Sequence, residues 1–199
     1  MEVLPIGESS GNTACPFDGC YLLGIVVTAS EGIPAWGDFF PGYIFVSDPT
    51  GKQCTFPEQY GWDQIWEIDP ETGEVTLFAE LTYEDCGFVA GLIFTPDGSR
   101  LRVAQVYKHR MLELDSEGKF TVLYDQYDGI AAPFGYNSMA YAPDGSFFVS
   151  VQGAILRFPT GSESAKVFAD DSQQFLDFGS IAIDPLNGDL YFGSNFGSL

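Results

Sequence analysis

Basic residues are scarce in this sequence. Its 199 residues include only eight Lys and Arg against 28 Asp and Glu, which gives a formal net charge of −20. A surface of this charge repels phosphate backbones and anionic lipid, so nucleic acid and charged membrane surfaces are excluded as partners. The same acidity suits solubility in a salty medium or the binding of cations.

The metal-binding patterns of His and Cys are also scarce. His109 is the only histidine and the four cysteines form no CxxC pair, which argues against a structural zinc site. Cys15 and Cys20 flank a short turn and predict a small disulfide loop, and Cys54 and Cys86 are candidates for a second bridge. An even cysteine count on an acidic chain favours an extracellular or periplasmic location. Four free thiols are the alternative.

Long hydrophobic segments are missing as well. The apolar run at 21–29 is too short to span a membrane, so no membrane span is expected. The first ten residues are acidic, whereas a signal peptide begins with basic residues. If the protein is exported, we expect its signal to have been removed or not included.

Aromatic residues and turn formers are abundant by contrast. The chain holds 18 Phe, 10 Tyr and 3 Trp together with 23 Gly and 12 Pro, and 45% of its residues are hydrophobic. This composition can bury a core, and it favours short strands joined by tight turns over long helices.

An internal repeat is built around a Pro-Asp-Gly type of turn. It recurs in 91–99, 138–146 and 180–188, so that 47 residues separate Gly98 from Gly145 and 43 separate Gly145 from Gly188. A second hairpin recurs at a similar interval in 65–73, 111–118 and 155–161. Asp-Gly and Asn-Gly turns suit hairpins because glycine accepts a positive φ without steric cost. Each unit therefore predicts four short antiparallel strands.

Four-stranded units of about 40–50 residues are typical of β-propeller blades. We predict an all-β propeller with a polar, cysteine-containing loop at 1–20 and a closing strand at 21–29. The blades are expected at 30–81, 82–125, 126–170 and 171–199, the last one incomplete. This gives about 3.5–4 blades.

The blade count raises the question of how a ring closes. Six blades of this size need about 270 residues, so we favour a fragment of a six-bladed ring. A partner chain that completes the ring, or a four-bladed ring with one short blade, are the alternatives. Unpaired strand edges at 191–195 predict self-association through the open end.

The first predicted blade resembles a known family. Glu31-Gly-Ile-Pro-Ala-Trp36, the strand-like segment 42–48 and the hairpin 65–73 are similar to the opening of the senescence-marker-protein and gluconolactonase family of six-bladed propellers. The later units also resemble NHL-repeat propellers. The likeness runs from Glu31 to the C-terminus, and the extra Ile33 is a departure from the family's Glu-Gly-Pro pattern.

The resemblance implies a divalent cation, calcium or zinc, in the central channel. It places Glu31 and Asn137 as metal ligands, and the metal would polarise an ester carbonyl and assist attack by water. Two departures count against this site. Gly179 stands where the family has a second Asn, and Ala90 offers no ligand at the matching point of the second blade. The family's catalytic Asp lies in a blade that this chain lacks, so no catalytic residue is assigned.

Two functions follow as hypotheses. The first is a propeller that binds a small molecule or a protein without catalysis; the second is a metal-dependent hydrolase of sugar lactones or small esters. Fold alone does not separate them, since propellers host both. The candidate contact residues lie in the long loop after the second strand or beside the predicted channel: Asp48, Tyr60, Trp62, Tyr136 and Asp177.

Overall fold

A computed structural model describes residues 24–27, 39, 41–48, 63–81, 87–106, 108–124, 138–151, 153–162, 164–170 and 178–194. Fourteen β-strands and no helix occur in these ranges. The strands are β1 (Gly24–Val27), β2 (Ile44–Asp48), β3 (Asp63–Ile68), β4 (Val75–Leu81), β5 (Val89–Phe94), β6 (Leu101–Gln105), β7 (Arg110–Leu114), β8 (Phe120–Tyr124), β9 (Met139–Tyr141), β10 (Phe147–Val151), β11 (Ala154–Phe158), β12 (Lys166–Asp170), β13 (Phe178–Ile183) and β14 (Leu190–Ser194).

The strands form four antiparallel sheets in chain order. The first three are four-stranded, with orders β1-β2-β3-β4, β5-β6-β7-β8 and β9-β10-β11-β12, and the fourth is the pair β13-β14. The first strands of successive sheets lie against one another, β1 on β5, β5 on β9 and β9 on β13. This is the arrangement of propeller blades with their inner strands side by side, which confirms the predicted all-β fold of partial propeller type.

The predicted turn chemistry explains the hairpins. Gly98 and Gly145 have φ values of 67° and 80°, in the left-handed region that glycine reaches without strain. Asp97 and Asp144 precede them, and their Oδ1 atoms accept hydrogen bonds from backbone amides two residues on, at 3.1 and 2.8 Å. These bonds, with the hydroxyl of Thr95 on Asp97, lower the pKa of both carboxyls.

Aromatic rings fill the space between the first two blades. Phe39, Phe45 and Phe94 meet edge to face, with ring centroids 5.0–5.7 Å apart, and all three are almost fully buried. Burying each ring contributes about 1.5–3 kcal/mol, and edge-to-face contact adds to that figure. Packing of these side chains therefore holds the first two blades face to face.

A second core lies between blades two and three. It contains Met111 from β7 and the rings of Phe147 and Phe158, which are 5.8 Å apart. Val149 at the centre of β10 is completely buried. The strands supply these residues at alternate positions, as a sheet with an apolar face between neighbours requires.

One strand differs from the prediction. The segment 21–29 was expected to close the ring as a strand of the last blade, whereas β1 pairs with β2 in the first sheet, from Gly24 opposite Ser47 to Val27 opposite Ile44. The sequence shows one apolar run here and cannot say which neighbour it pairs with. Its pairing with β2 gives the first sheet the same four strands as the second and third sheets.

Several predicted features fall outside the described residues. These are the loop at 1–20, the loop at 49–62, and the four disulfide candidates Cys15, Cys20, Cys54 and Cys86. In the part of the chain that is described, no helix has the length and apolar character needed to cross a membrane.

Candidate functional site

The predicted contact and metal residues are mostly outside the described ranges. Asp48 alone lies within them, as the last residue of β2, and it is 1% exposed. The others are Glu31, Tyr60, Trp62, Tyr136, Asn137 and Asp177. Their roles stay predictions. The inner position beside β2 is occupied by β1, which precedes Glu31 in the chain.

The positions equivalent to Asn137 in the neighbouring blades are Ala90 and Gly179, and the structure describes both. Their carbonyl oxygens accept hydrogen bonds from the Ser47 and Ser150 hydroxyls, at 3.4 and 2.8 Å. The two serines occupy the same place in β2 and β10, and each joins its blade to the inner strand of the next. At these two positions no side-chain oxygen is offered to a metal and the backbone oxygen is already engaged.

A metal site is also not formed elsewhere in the described ranges. No three His, Cys, Asp or Glu side chains converge there in a way that could hold an ion. A hard divalent cation needs about six oxygen ligands. The metal site that the family resemblance implies depends on Glu31 and Asn137, which lie outside the described residues, and it stays a prediction.

A buried carboxylate lies where blade one meets blade two. Asp63, the first residue of β3, has no exposed surface, and its Oδ2 accepts a hydrogen bond from the Gly87 amide at 2.6 Å and from the Gln105 amide group at 3.3 Å. Phe88, between Gly87 and β5, has the unusual φ of 63°. The carboxylate holds the backbone in this conformation, in which the chain enters the second blade.

Burial governs the electrostatics of Asp63. Loss of water raises the pKa of its carboxyl from 3.8 to about 6, although the amides of 87–89 and Gln105 oppose the change. Gln105 extends the network, because its Oε1 accepts a hydrogen bond from Arg110 Nε at 2.5 Å. Since Asp63 belongs to blade one and its partners to blade two, the network positions blade two rather than presenting a reactive group to solvent.

A groove between blades two and three combines charged, hydroxyl and aromatic groups. It encloses about 700 Å³ and is lined by the β5–β6 hairpin, the outer strand β8 and the hairpins of blade three. This volume is in the range of small-molecule sites.

Arg102 is the central cation of the groove. Its Nε lies 3.2 Å from Glu113 Oε2, a pair that faces across β6 and β7, and the two side chains are 20% and 22% exposed. The guanidinium also lies over two rings of blade three, 5.0 Å from the Phe147 centroid and 5.6 Å from that of Tyr141. A guanidinium stacked on rings is fixed in orientation, so its remaining N–H groups keep a set direction.

Aromatic side chains form the floor of the groove. Tyr141 and Phe147 are 4.8 Å apart, Phe158 follows at 5.8 Å, and Tyr124 lies 4.7 Å from Phe158. Burial raises the pKa of Tyr141 to about 12, which the nearby Arg102 opposes. Its hydroxyl therefore keeps its proton at neutral pH and can donate a hydrogen bond.

The rim of the groove is polar and balanced in charge. Arg100 and Arg102 face Asp97 and Glu113 in the lining, so the formal charges cancel in a molecule of net charge −20. Hydroxyl groups are contributed by the blade-three hairpin 159–162 and the blade-two hairpin 95–99. The groove thus suits a ligand that carries hydroxyl groups and little net charge.

Sequence reasoning did not identify this groove. Arg102 and Glu113 are 11 residues apart and face each other only because β6 pairs with β7. The repeat contained a signal for this pair, because the equivalent residues are Phe148 and Arg157 in blade three and Phe45 and Glu67 in blade one. Among these three blades, only blade two places two opposite charges at this position. The contact with Tyr141 crosses between blades, and no local pattern predicts it.

Comparisons with known proteins identify the fold. No family model matches the sequence, and no curated protein matches it. Solved structures do match. A streptogramin B lyase has a TM-score of 0.58 at 18% identity, covering 87% of this chain and 48% of its own. A gluconolactonase from Xanthomonas campestris has a TM-score of 0.56 at 15% identity, covering 77% and 50%.

A propeller domain of Cps50 (Swd1) from Myceliophthora thermophila matches as well, with a TM-score of 0.53 at 14% identity, covering 88% of this chain and 51% of its own. The chain thus spans about half the length of these propellers. The names of these proteins indicate widely different functions, and each likeness is below 25% identity. Together with the sheet order, the comparisons place this chain among proteins of the β-propeller fold.

Proposed function

We propose that this chain is a ligand-binding propeller module and that its ligand occupies the groove between blades two and three. The observation that carries the proposal is the Arg102–Glu113 pair, fixed over the rings of Tyr141 and Phe147 in a space of about 700 Å³. A stacked guanidinium beside a protonated phenol offers several directed hydrogen-bond donors next to an apolar surface.

The ligand best suited to this chemistry is a small, uncharged molecule with several hydroxyl groups. Anions are repelled by the net charge of −20, and the groove itself has no net formal charge to attract an ion, because Asp97 and Glu113 balance its two arginines. The flat rings of the groove can pack against the apolar face of such a molecule. Its carboxylates can accept hydrogen bonds from the ligand's hydroxyl groups, and its own hydroxyl groups can both accept and donate hydrogen bonds. The likeness to a gluconolactonase supports a sugar-derived probe.

The test is calorimetric titration of the chain with D-glucono-1,5-lactone, which is neutral, and with gluconate, its anion. We expect the lactone to bind more tightly. Arg102→Lys keeps the charge but loses the planar stack, and we expect it to weaken lactone binding at least about tenfold, or about 1.4 kcal/mol.

Arg157→Lys is the matched control. Arg157 also stacks on a ring, 5.6 Å from Phe148, and pairs with Asp144 at 2.9 Å, but it does not line the groove. Its replacement is expected to leave binding unchanged. Equal losses in the two variants, or no heat with either probe, would contradict the proposal.

A metal-dependent lactone or ester hydrolase is the second candidate, supported by the likeness to a gluconolactonase. It depends on Glu31 and Asn137, because the described inner-strand positions supply no ligand. Titration with calcium and with zinc, using Glu31→Ala as control, separates the two candidates. Tight 1:1 binding that Glu31→Ala removes, together with lactone turnover, would favour the hydrolase.

A further inference from the structure

Neighbouring blades meet at an equivalent pair of positions. The pair consists of the second residue of one blade's second strand and the last residue of the following blade's first strand. Between blades one and two these residues are Phe45 and Phe94, whose ring centroids lie 5.5 Å apart. Between blades three and four they are Phe148 and Ile183, which belong to one apolar cluster. The pair is therefore apolar at both of these interfaces.

The groove between blades two and three departs from this pattern at both positions. Arg102 stands in place of the aromatic ring of blade two, and Tyr141 adds a hydroxyl group in blade three, with the guanidinium carbon 5.6 Å from the centre of its ring. Glu113 faces Arg102 across β6 and β7. Removing charges from water costs free energy, so blade packing does not require these polar groups. All three line the groove, which suggests that they contact a ligand.

Arg102 interacts with both of the other groups. Its Nε donates a hydrogen bond to Glu113, which engages one of the five N–H groups of the guanidinium. The guanidinium also lies close enough to the phenol to oppose, by its charge and by hydrogen bonding, the rise that burial causes in the pKa of Tyr141. Because a guanidinium can only donate, the phenol oxygen is the acceptor in this contact and the phenol proton is left for another acceptor.

We propose that the Tyr141 hydroxyl is the specificity-determining donor of the groove and recognises a carbonyl oxygen of the ligand, with Arg102 and Glu113 as its positioning residues. The inference rests on the proposed function, because it concerns the ligand of the same groove. A carbonyl oxygen has two lone pairs and no proton, so it can accept from the phenol and from a guanidinium N–H together. A methylene group in its place leaves both donors without a partner.

The test is calorimetric titration of the chain with two neutral ligands that differ at one carbon. D-glucono-1,5-lactone carries the carbonyl, and 1,5-anhydro-D-glucitol has a methylene group there with the same hydroxyl groups. We expect the wild type to bind the lactone at least about tenfold more tightly, because a site built to hydrogen-bond a ligand oxygen discriminates against a ligand that lacks it.

Tyr141→Phe removes the hydroxyl and keeps the ring beside Arg102. We expect its affinity for the lactone to fall at least about tenfold and its affinity for the anhydroglucitol to change less than about twofold, so that the preference is lost. A purely structural defect would instead weaken both ligands alike. Tyr191→Phe is the matched control, since it removes the same group from an exposed tyrosine of blade four that does not line the groove. It is expected to keep both affinities.

The outcomes separate this inference from the proposed function. Equal binding of the two ligands by the wild type, or equal losses for both ligands in Tyr141→Phe, would overturn the inference and leave the groove as a binding site. A loss of lactone affinity that is the same in Tyr191→Phe would overturn it as well. Absence of binding by either ligand would overturn the proposed function and this inference with it.

Discussion

Asp63 shows how one residue couples two blades. Its carboxylate leaves water to accept hydrogen bonds from the amide of Gly87 and from Gln105, and the backbone of Phe88 is held at positive φ beside it. Gly87 is required in this contact, because a Cβ there would collide with the side chain of Lys108. The arrangement is costly when Asp63 is ionised, since burial raises its pKa to about 6.

This pKa predicts how stability depends on pH. The folded state holds the Asp63 proton more tightly than the unfolded state. The stability that this proton contributes is therefore fully present below pH 3.8 and is lost as the pH rises through about 6. A shift of about two units corresponds to about 3 kcal/mol. The measurement is urea unfolding of the wild type and of Asp63→Asn at several pH values. As the pH rises from 4 to 7, the free energy of unfolding of the variant is expected to increase relative to that of the wild type by about 3 kcal/mol.

Asp97→Asn serves as the control for Asp63. The pKa of Asp97 is lowered by its hydrogen bonds with Thr95 and Ser99, so its contribution has the opposite sign and is lost as the pH falls. A stability difference between wild type and Asp63→Asn that stays constant from pH 4 to 7 would contradict the prediction.

The hairpins act at the scale of the element. Gly73, Gly118 and Gly161 occupy the same turn of blades one, two and three, with φ of 72°, 75° and 72°. Only Gly118 packs against another blade, since a Cβ there would collide with the carbonyl oxygen of Phe78 in β4. The turn of β7–β8 therefore docks on the outer strand of blade one.

Alanine substitutions separate turn conformation from docking. Both Gly118→Ala and Gly161→Ala place an alanine at positive φ, and this strain costs about 1 kcal/mol. Only Gly118→Ala also forces two blades apart. We expect Gly118→Ala to lower the free energy of unfolding by about 1–3 kcal/mol more than Gly161→Ala. Denaturant unfolding of the two variants measures the difference, and equal losses would show that the docking contact carries no energy.

Charge acts on the whole molecule. Ion pairs among the described residues include Arg102–Glu113, Lys119–Glu117 and Arg157–Asp144, but eight Lys and Arg cannot neutralise 28 Asp and Glu. Repulsion among the excess carboxylates destabilises the compact state, and salt screens it. The urea midpoint of the chain is therefore expected to rise between about 20 and about 300 mM sodium chloride. A midpoint that falls would mean that ion pairs outweigh the repulsion.

The repeat explains why the sequence predicted so much of the fold. Turn residues such as Asp97-Gly98 and Asp144-Gly145 act through local hydrogen bonds and local φ, so they can be identified without a structure. Apolar residues between the turns then indicate the strands and their spacing indicates the blades. Local sequence does not specify which strand the apolar run at 21–29 pairs with. The run pairs with β2, so its assignment as a closing strand was wrong.

The amino-acid sequence by itself determined the fold class, the acidic charge and the positions of the hairpins, because these depend on composition and on residues close together in the chain. Tertiary structure alone decided which groups meet across blades: Asp63 with Gly87 and Gln105, and Arg102 with Tyr141. Such contacts join residues that are 24 to 42 positions apart, as Asp63 is from its two partners. They arise from the packing of one sheet on the next, which a pattern within a single strand does not specify.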